Sequence, residues 1–124
     1  MGIHSEHIVS KRMRDCYDRL LSLGEADSGF DVKETGPTPK RDVRYYYAGR
    51  RSWPFAFIVN SGERADYHLF YLRHKDFGNY GQAIEFFDQD QVEEKANGEV
   101  IIRVHDKVDV EKVWQVVNRL RIDQ

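Results

Sequence analysis

The sequence lacks the features that mark membrane-spanning, disulfide-stabilised and low-complexity proteins. Its single cysteine, Cys16, excludes an intrachain disulfide and a cysteine-based zinc site. No apolar run approaches the roughly 20 residues that span a bilayer. The first residues do not combine a basic start with an apolar stretch. We therefore expect a cytoplasmic protein without a membrane segment.

A strong excess of one charge is also missing, because 19 basic residues stand against 21 acidic ones. The resulting net charge of −2 creates no global attraction to nucleic acid or to anionic lipid. The charges are nevertheless unevenly distributed. Residues 40–53 hold five basic residues and one acidic residue, whereas residues 85–99 hold six acidic residues and one lysine. The sequence therefore predicts a dipolar molecule.

Amphipathic patterns predict a helix near each end of the chain. From Ser5 to Leu23, apolar residues recur every three or four positions, with Ser5 as the expected N-cap and Gly24 as the expected stop. A second helix is expected to open with Asp109 as its N-cap, and its apolar stripe runs to Leu120.

Between the helices, the composition is typical of an antiparallel sheet. Three aromatic segments, 41–48, 53–60 and 67–73, are separated by short turns and predict a meander. Residues 25–40 contain two glycines and two prolines, so we expect an internal loop or arm there. Asn97-Gly98 indicates either a type I′ hairpin between 91–96 and 99–104 or the end of a helix, which leaves residues 82–96 open as helix or strand.

These elements predict one α+β domain over residues 1–124. A chain of 124 residues, of which 40% are hydrophobic, is long enough to form a hydrophobic core. The expected architecture is a two-layer sandwich in which the N- and C-terminal helices pack on one face of an antiparallel sheet.

The most distinctive segment is 41–53, which combines four arginines with three consecutive tyrosines and a tryptophan. If Tyr45 and Tyr47 face the helices, strand alternation directs Arg44 and Tyr46 to the open face of the sheet. Rings beside guanidinium groups suit single-stranded nucleic acid, because rings stack on bases and arginines contact phosphates. We therefore predict a binding module that contacts nucleic acid. Its candidate residues are Arg44, Tyr46, Arg50, Arg51, Trp53, Tyr67, Tyr71 and Arg73.

Two other interpretations of this face stay open. Tyrosines are good strand formers and arginines solubilise edge strands, so the segment also fits a purely structural role. Tyr, Trp and Arg are enriched at protein-binding hot spots as well, which makes an inhibitor, an antitoxin-like protein or an adaptor an alternative. The acidic stretch 85–94 offers such a protein a second surface, suited to a basic groove on its partner.

The best catalytic pattern is Asp76 upstream of Glu93 and Lys95. Magnesium-dependent nucleases hold the metal between two carboxylates and keep a lysine near the attacked phosphate in this layout. An acidic run with one lysine is more often a solvated face, however. The sequence has no phosphate-binding loop and no nucleophile in a recognisable triad. We therefore favour a binding protein over an enzyme and expect no cofactor.

Overall fold

The computed structural model describes residues 2–38, 40–73 and 80–121. Within these residues, two short 3-10 segments, Ser5–His7 and Gln89–Gln91, accompany three α-helices and six strands. In chain order the elements are α1 (Lys11–Glu25), β1 (Phe30–Thr35), β2 (Asp42–Tyr47), β3 (Phe55–Ile58), β4 (His68–Leu72), α2 (Tyr80–Ile84), β5 (Val92–Glu94), β6 (Val100–Val104) and α3 (Lys107–Leu120).

The strands form one sheet in the order β1-β2-β3-β4-β6-β5, and every neighbouring pair is antiparallel. Helices α1 and α3 pack on one face of this sheet and contact each other. The predicted two-layer α+β architecture is therefore confirmed. None of the helices in the described part of the chain is long and apolar enough to cross a membrane.

The core lies between the sheet and the two helices, and strand alternation in β2 builds its centre. Val43, Tyr45 and Tyr47 are at most 1% exposed, whereas the residues between them are half-buried. The Tyr45 ring contacts Trp114 of α3 at a centroid distance of 5.9 Å. Its hydroxyl donates a hydrogen bond of 2.9 Å to the carbonyl of Leu20 in α1. Tyr45 and Tyr47 therefore face the helices, which is the condition on which the interpretation of the open face depends.

One edge of the sheet comes from the segment that we expected to be a loop. Residues 30–35 form β1, which pairs along its full length with β2. The Phe30 ring is 5% exposed and packs against the rings of Tyr47, Phe55 and Trp114. The glycines and prolines of the segment lie outside this strand, so they bound the strand and do not interrupt it.

Both long helices begin at other residues than predicted. Helix α1 starts at Lys11, because Ser10 accepts a hydrogen bond from the amide of Met13 and acts as its N-cap. Helix α3 has Asp106 as its N-cap, and the Asp106 carboxylate accepts from the amide of Asp109 at 2.9 Å. Capping side chains are frequent in both segments, and only backbone geometry decides which one acts.

The segment 82–96 contains both helix and strand. Helix α2 ends at Ile84, and β5 then forms a hairpin with β6, which was one of the two alternatives for Asn97-Gly98. The turn is not type I′, because Gly98 has a φ of +89° but no non-glycine residue in the described ranges has a positive φ. The Asn97 side chain instead accepts a hydrogen bond of 3.0 Å from the amide of Glu99.

Candidate functional site

The sheet face that points away from α1 and α3, here called the open face, is organised in rows. Residues directly opposite each other on antiparallel strands point to the same side, so the strand register defines these rows. The first row crosses all six strands and consists of Lys33, Arg44, Ala56, Tyr71, Ile101 and Glu93. The second row consists of Thr35, Asp42, Ile58, Leu69 and Arg103.

Four of the eight predicted residues meet around one ring and form what we call the Trp53 cluster: Arg44, Tyr46, Trp53 and Arg73. The Tyr46 and Trp53 ring centroids are 6.2 Å apart. The central guanidinium carbons of Arg44 and Arg73 lie 4.4 Å and 3.4 Å from the Trp53 ring centroid. Guanidinium groups at such distances are held by the negative face of the ring.

Tyr71 lies next to the Trp53 cluster. Together with Trp53, Ala56 and Ile58, it lines a shallow depression of about 210 Å³ on the open face. Burial, followed by the nearby carboxylates of Glu99 and Glu93, raises the pKa of the Tyr71 hydroxyl. Tyr71 therefore remains a neutral hydrogen-bonding group at physiological pH.

The remaining three predicted residues stand apart from the Trp53 cluster. Tyr67 contacts the His105 ring at 5.6 Å and the Arg103 guanidinium at 5.5 Å. Arg50 and Arg51 are exposed in the turn between β2 and β3. Their side chains make no ion pair or hydrogen bond with the part of the chain that the structure describes.

Sequence reasoning missed Lys33, whose ammonium group lies 4.8 Å from the centroid of the Tyr46 ring. This lysine belongs to β1, which was expected to be a loop, so its position beside Tyr46 had no sequence signal. Arg103 did have a sequence signal, because strand alternation in β6 already places it on the side opposite to Ile102 and Val104, which are buried.

Carboxylates that the prediction did not include balance the cations of the Trp53 cluster. The Arg44 Nε is 3.4 Å from Asp42, and the Arg73 Nε is 3.4 Å from Glu99. Hydrogen bonding with Tyr46, together with the Asp42 carboxylate, raises the pKa of the Arg44 guanidinium. The open face is therefore aromatic and mixed in charge rather than uniformly basic.

The two residues of the proposed nuclease pattern that the structure describes do lie together. The Lys95 Nζ is 3.8 Å from a carboxylate oxygen of Glu93, and both line one depression on the open face. Asp76 lies outside the described residues. Among the described residues, no three His, Cys, Asp or Glu side chains group as metal ligands. The nuclease interpretation stays a prediction.

The acidic stretch 85–94 does not form one surface. Glu85 pairs with Arg119 of α3 at 2.7 Å, on the helix layer. Glu93 points to the open face, because it lies opposite Ile101 in the register, and strand alternation directs its neighbour Glu94 to the other side.

Comparison with known proteins adds no functional assignment. No family model matches the chain. Neither the curated proteins nor the solved structures contain a significant match. The chemistry of the open face is therefore the basis for a functional proposal.

Proposed function

We propose that the protein is a binding module whose open face contacts single-stranded nucleic acid. The observation that carries this proposal is the pairing of the Tyr46 and Trp53 rings at 6.2 Å on the open face. Lys33, Arg50 and Arg51 supply cations at the same end of the sheet, and none of them is ion-paired within the described residues. Rings beside unpaired cations are the elements of a single-strand platform.

In this proposal the two groups of cations have different roles. Arg44 and Arg73 hold the Trp53 ring in place, and their charges are already balanced by Asp42 and Glu99. Phosphate contacts are therefore left to the three cations without carboxylate partners. Three phosphate contacts on a single strand predict a slope of about −2 for the logarithm of affinity against the logarithm of salt concentration.

Fluorescence anisotropy with labelled single- and double-stranded oligonucleotides tests the proposal at about 50 and 200 mM salt. We expect the single strand to bind more tightly, and Trp53→Ala to weaken it about 10-fold through lost stacking. The double variant Arg50→Ala, Arg51→Ala should reduce the salt slope by about 1.4.

Arg64→Ala is the matched control, because Arg64 is an exposed arginine in the turn between β3 and β4, at the opposite end of the strands. Its affinity should equal that of the wild type. Absence of binding to either oligonucleotide at low salt would overturn the proposal. If Arg64→Ala weakened oligonucleotide binding as much as the double variant does, the binding would be nonspecific electrostatic attraction, which would also count against the proposal.

A protein partner is the second candidate, and the ion pairs of the open face favour it. Asp42 and Glu99 repel phosphates but suit a protein surface of mixed charge. Trp53 and the two arginines that stack on its ring are residue types typical of protein hot spots. This candidate gains support if neither oligonucleotide binds.

A further inference from the structure

The first row of the open face carries opposite charges at its two ends. The first row begins with Lys33 and Arg44 on β1 and β2 and ends with Glu93 on β5. Between them lie Ala56, Tyr71 and Ile101, on β3, β4 and β6. The row is thus cationic at one end, uncharged in the middle and anionic at the other end.

We propose that this face docks onto the open face of a second copy of the same chain, about a two-fold axis that runs parallel to the strands between β3 and β4. The proposal concerns the whole open face and goes beyond nucleic-acid binding, on which it does not rest. Face-to-face packing of two sheets about 10 Å apart is a common arrangement in proteins.

The proposed axis places each row against the same row of the second copy, with the strand order reversed. Strand β1 then faces β5, β2 faces β6 and β3 faces β4. In the first row, Lys33 lies opposite Glu93 of the second copy, so unlike charges meet at both edges. In the centre, the small Ala56 lies opposite the large Tyr71, which lets the two faces interdigitate.

The second row is complementary in the same way. Asp42 on β2 lies opposite Arg103 on β6 of the second copy. Ile58 on β3 lies opposite Leu69 on β4, which places apolar side chains at the centre of the contact. Two independent rows therefore agree on one axis.

The charge pattern also discriminates against a two-fold axis that is perpendicular to the strands and passes through the first row. An axis perpendicular to the strands would place every strand on its own copy. Lys33 would then face Lys33, and Glu93 would face Glu93. Such like-charge contacts are unfavourable. Glu93 can exchange its partner Lys95 for Lys33 of the second copy. Its pair with Lys95 is weak, because the two charged atoms are 3.8 Å apart and both side chains are about half exposed.

Sedimentation velocity of the full chain between about 1 and 200 µM tests this inference, because this range covers dimer dissociation constants in the micromolar range. We expect the wild type to dimerise as its concentration rises. Lys33→Glu and Glu93→Lys should each raise the dimer dissociation constant by about 10-fold or more, since each creates two like-charge contacts. The double variant should return to within about 3-fold of the wild type.

Mixing the two single variants provides the sharpest result. A Lys33→Glu chain and a Glu93→Lys chain restore both unlike pairs between them, so the mixture should dimerise where each variant alone does not. Glu94→Lys is the matched control: this neighbour on β5 points away from the open face and should leave dimerisation unchanged.

A wild-type chain that stays monomeric throughout the series overturns the inference, and so does a dimer that neither charge reversal weakens. Failure of the nucleic-acid proposal is recognised separately. The monomeric Glu93→Lys variant retains the Trp53 cluster and should still bind the single-stranded oligonucleotide. Oligonucleotide binding without dimerisation refutes only the second copy as a partner. Because the dimer would cover the open face, absence of oligonucleotide binding by the monomeric Glu93→Lys variant refutes only the nucleic-acid proposal.

Discussion

The guanidinium group of Arg73 lies over the ring of Trp53, with its central carbon 3.4 Å from the ring centroid. Its Nη1 also donates a hydrogen bond of 3.1 Å to the Trp53 carbonyl, and its Nε is 3.4 Å from Glu99. The Arg73 side chain, which follows β4, thus connects Trp53 before β3 with Glu99 before β6. The position of the Trp53 ring on the open face depends on this arginine.

Replacement of Arg73 by alanine should lower the free energy of unfolding by about 1–2 kcal/mol, through loss of the cation–π contact and of a partly buried ion pair. Urea unfolding followed by circular dichroism measures this change. Acrylamide quenching of tryptophan fluorescence should increase, because the variant no longer covers the Trp53 ring. The increase can be assigned to Trp53, because Trp114 packs on the helix side against Phe30 and Tyr45. Arg50→Ala is the control and should stay within about 0.5 kcal/mol of the wild type. Equal stability of the two variants would refute this role of Arg73.

Gly24 near the end of α1 lies directly against the Tyr45 ring. A Cβ atom at Gly24 would overlap carbon atoms of that ring, which is fully buried and cannot move aside. Gly24→Ala should therefore lower the free energy of unfolding by about 1–3 kcal/mol, although alanine is the better helix former. Thermal and urea unfolding measure the change. Gly62→Ala, where a Cβ atom meets nothing within 4 Å, is the matched control. A stabilised Gly24→Ala chain would show that helix propensity outweighs the packing.

The buried His68 should make folding stability depend on pH. Its Nδ1 accepts a hydrogen bond of 3.0 Å from the Asn60 amide, and its Nε2 lies 2.7 Å from the Met13 carbonyl, which assigns a neutral ring. Burial lowers the pKa of His68 from its ordinary value of 6.5, against a smaller raising effect of the hydrogen bond to Met13. Below pH 6.5 the unfolded chain therefore binds a proton that the folded chain resists, and stability falls as the pH decreases.

Urea unfolding at a series of pH values above and below 6.5 measures this effect. His68→Gln retains a donor for the Met13 carbonyl but does not titrate, so its stability should fall less over the same interval. The other histidines are common to both chains and cancel in the comparison. Identical pH profiles of the two chains would contradict the role assigned to His68.

Much of the fold was predictable because short-range periodicity carries it. The alternation of β2 separates Tyr45 and Tyr47 from Arg44 and Tyr46 before any tertiary contact is known. The amphipathic stripe of α1 likewise identifies Met13, Cys16 and Leu20 as core residues. Patterns of this kind arise within a few neighbouring residues, so the sequence records them directly.

The strand and the charge contacts that sequence reasoning missed depend on partners distant in the chain. Strand β1 exists because β2 pairs with it and because the Phe30 ring enters the aromatic core. Glu99 balances Arg73, and Asp42 lies in one row with Arg103, only because the register brings these strands together. Residues 26 and 61 positions apart in the chain leave no local signal of such contacts.

By itself, the sequence determined the α+β class and the alternation that puts Tyr45 and Tyr47 on one side of the sheet and Arg44 and Tyr46 on the other. Each of these follows from a repeat of two or about 3.6 residues, which is a property of the local backbone. Only the tertiary structure decided which cations stay unpaired and which side chains share a row. Charge balance and self-complementarity depend on strand register, and register is set by the packing of the whole sheet against its helices.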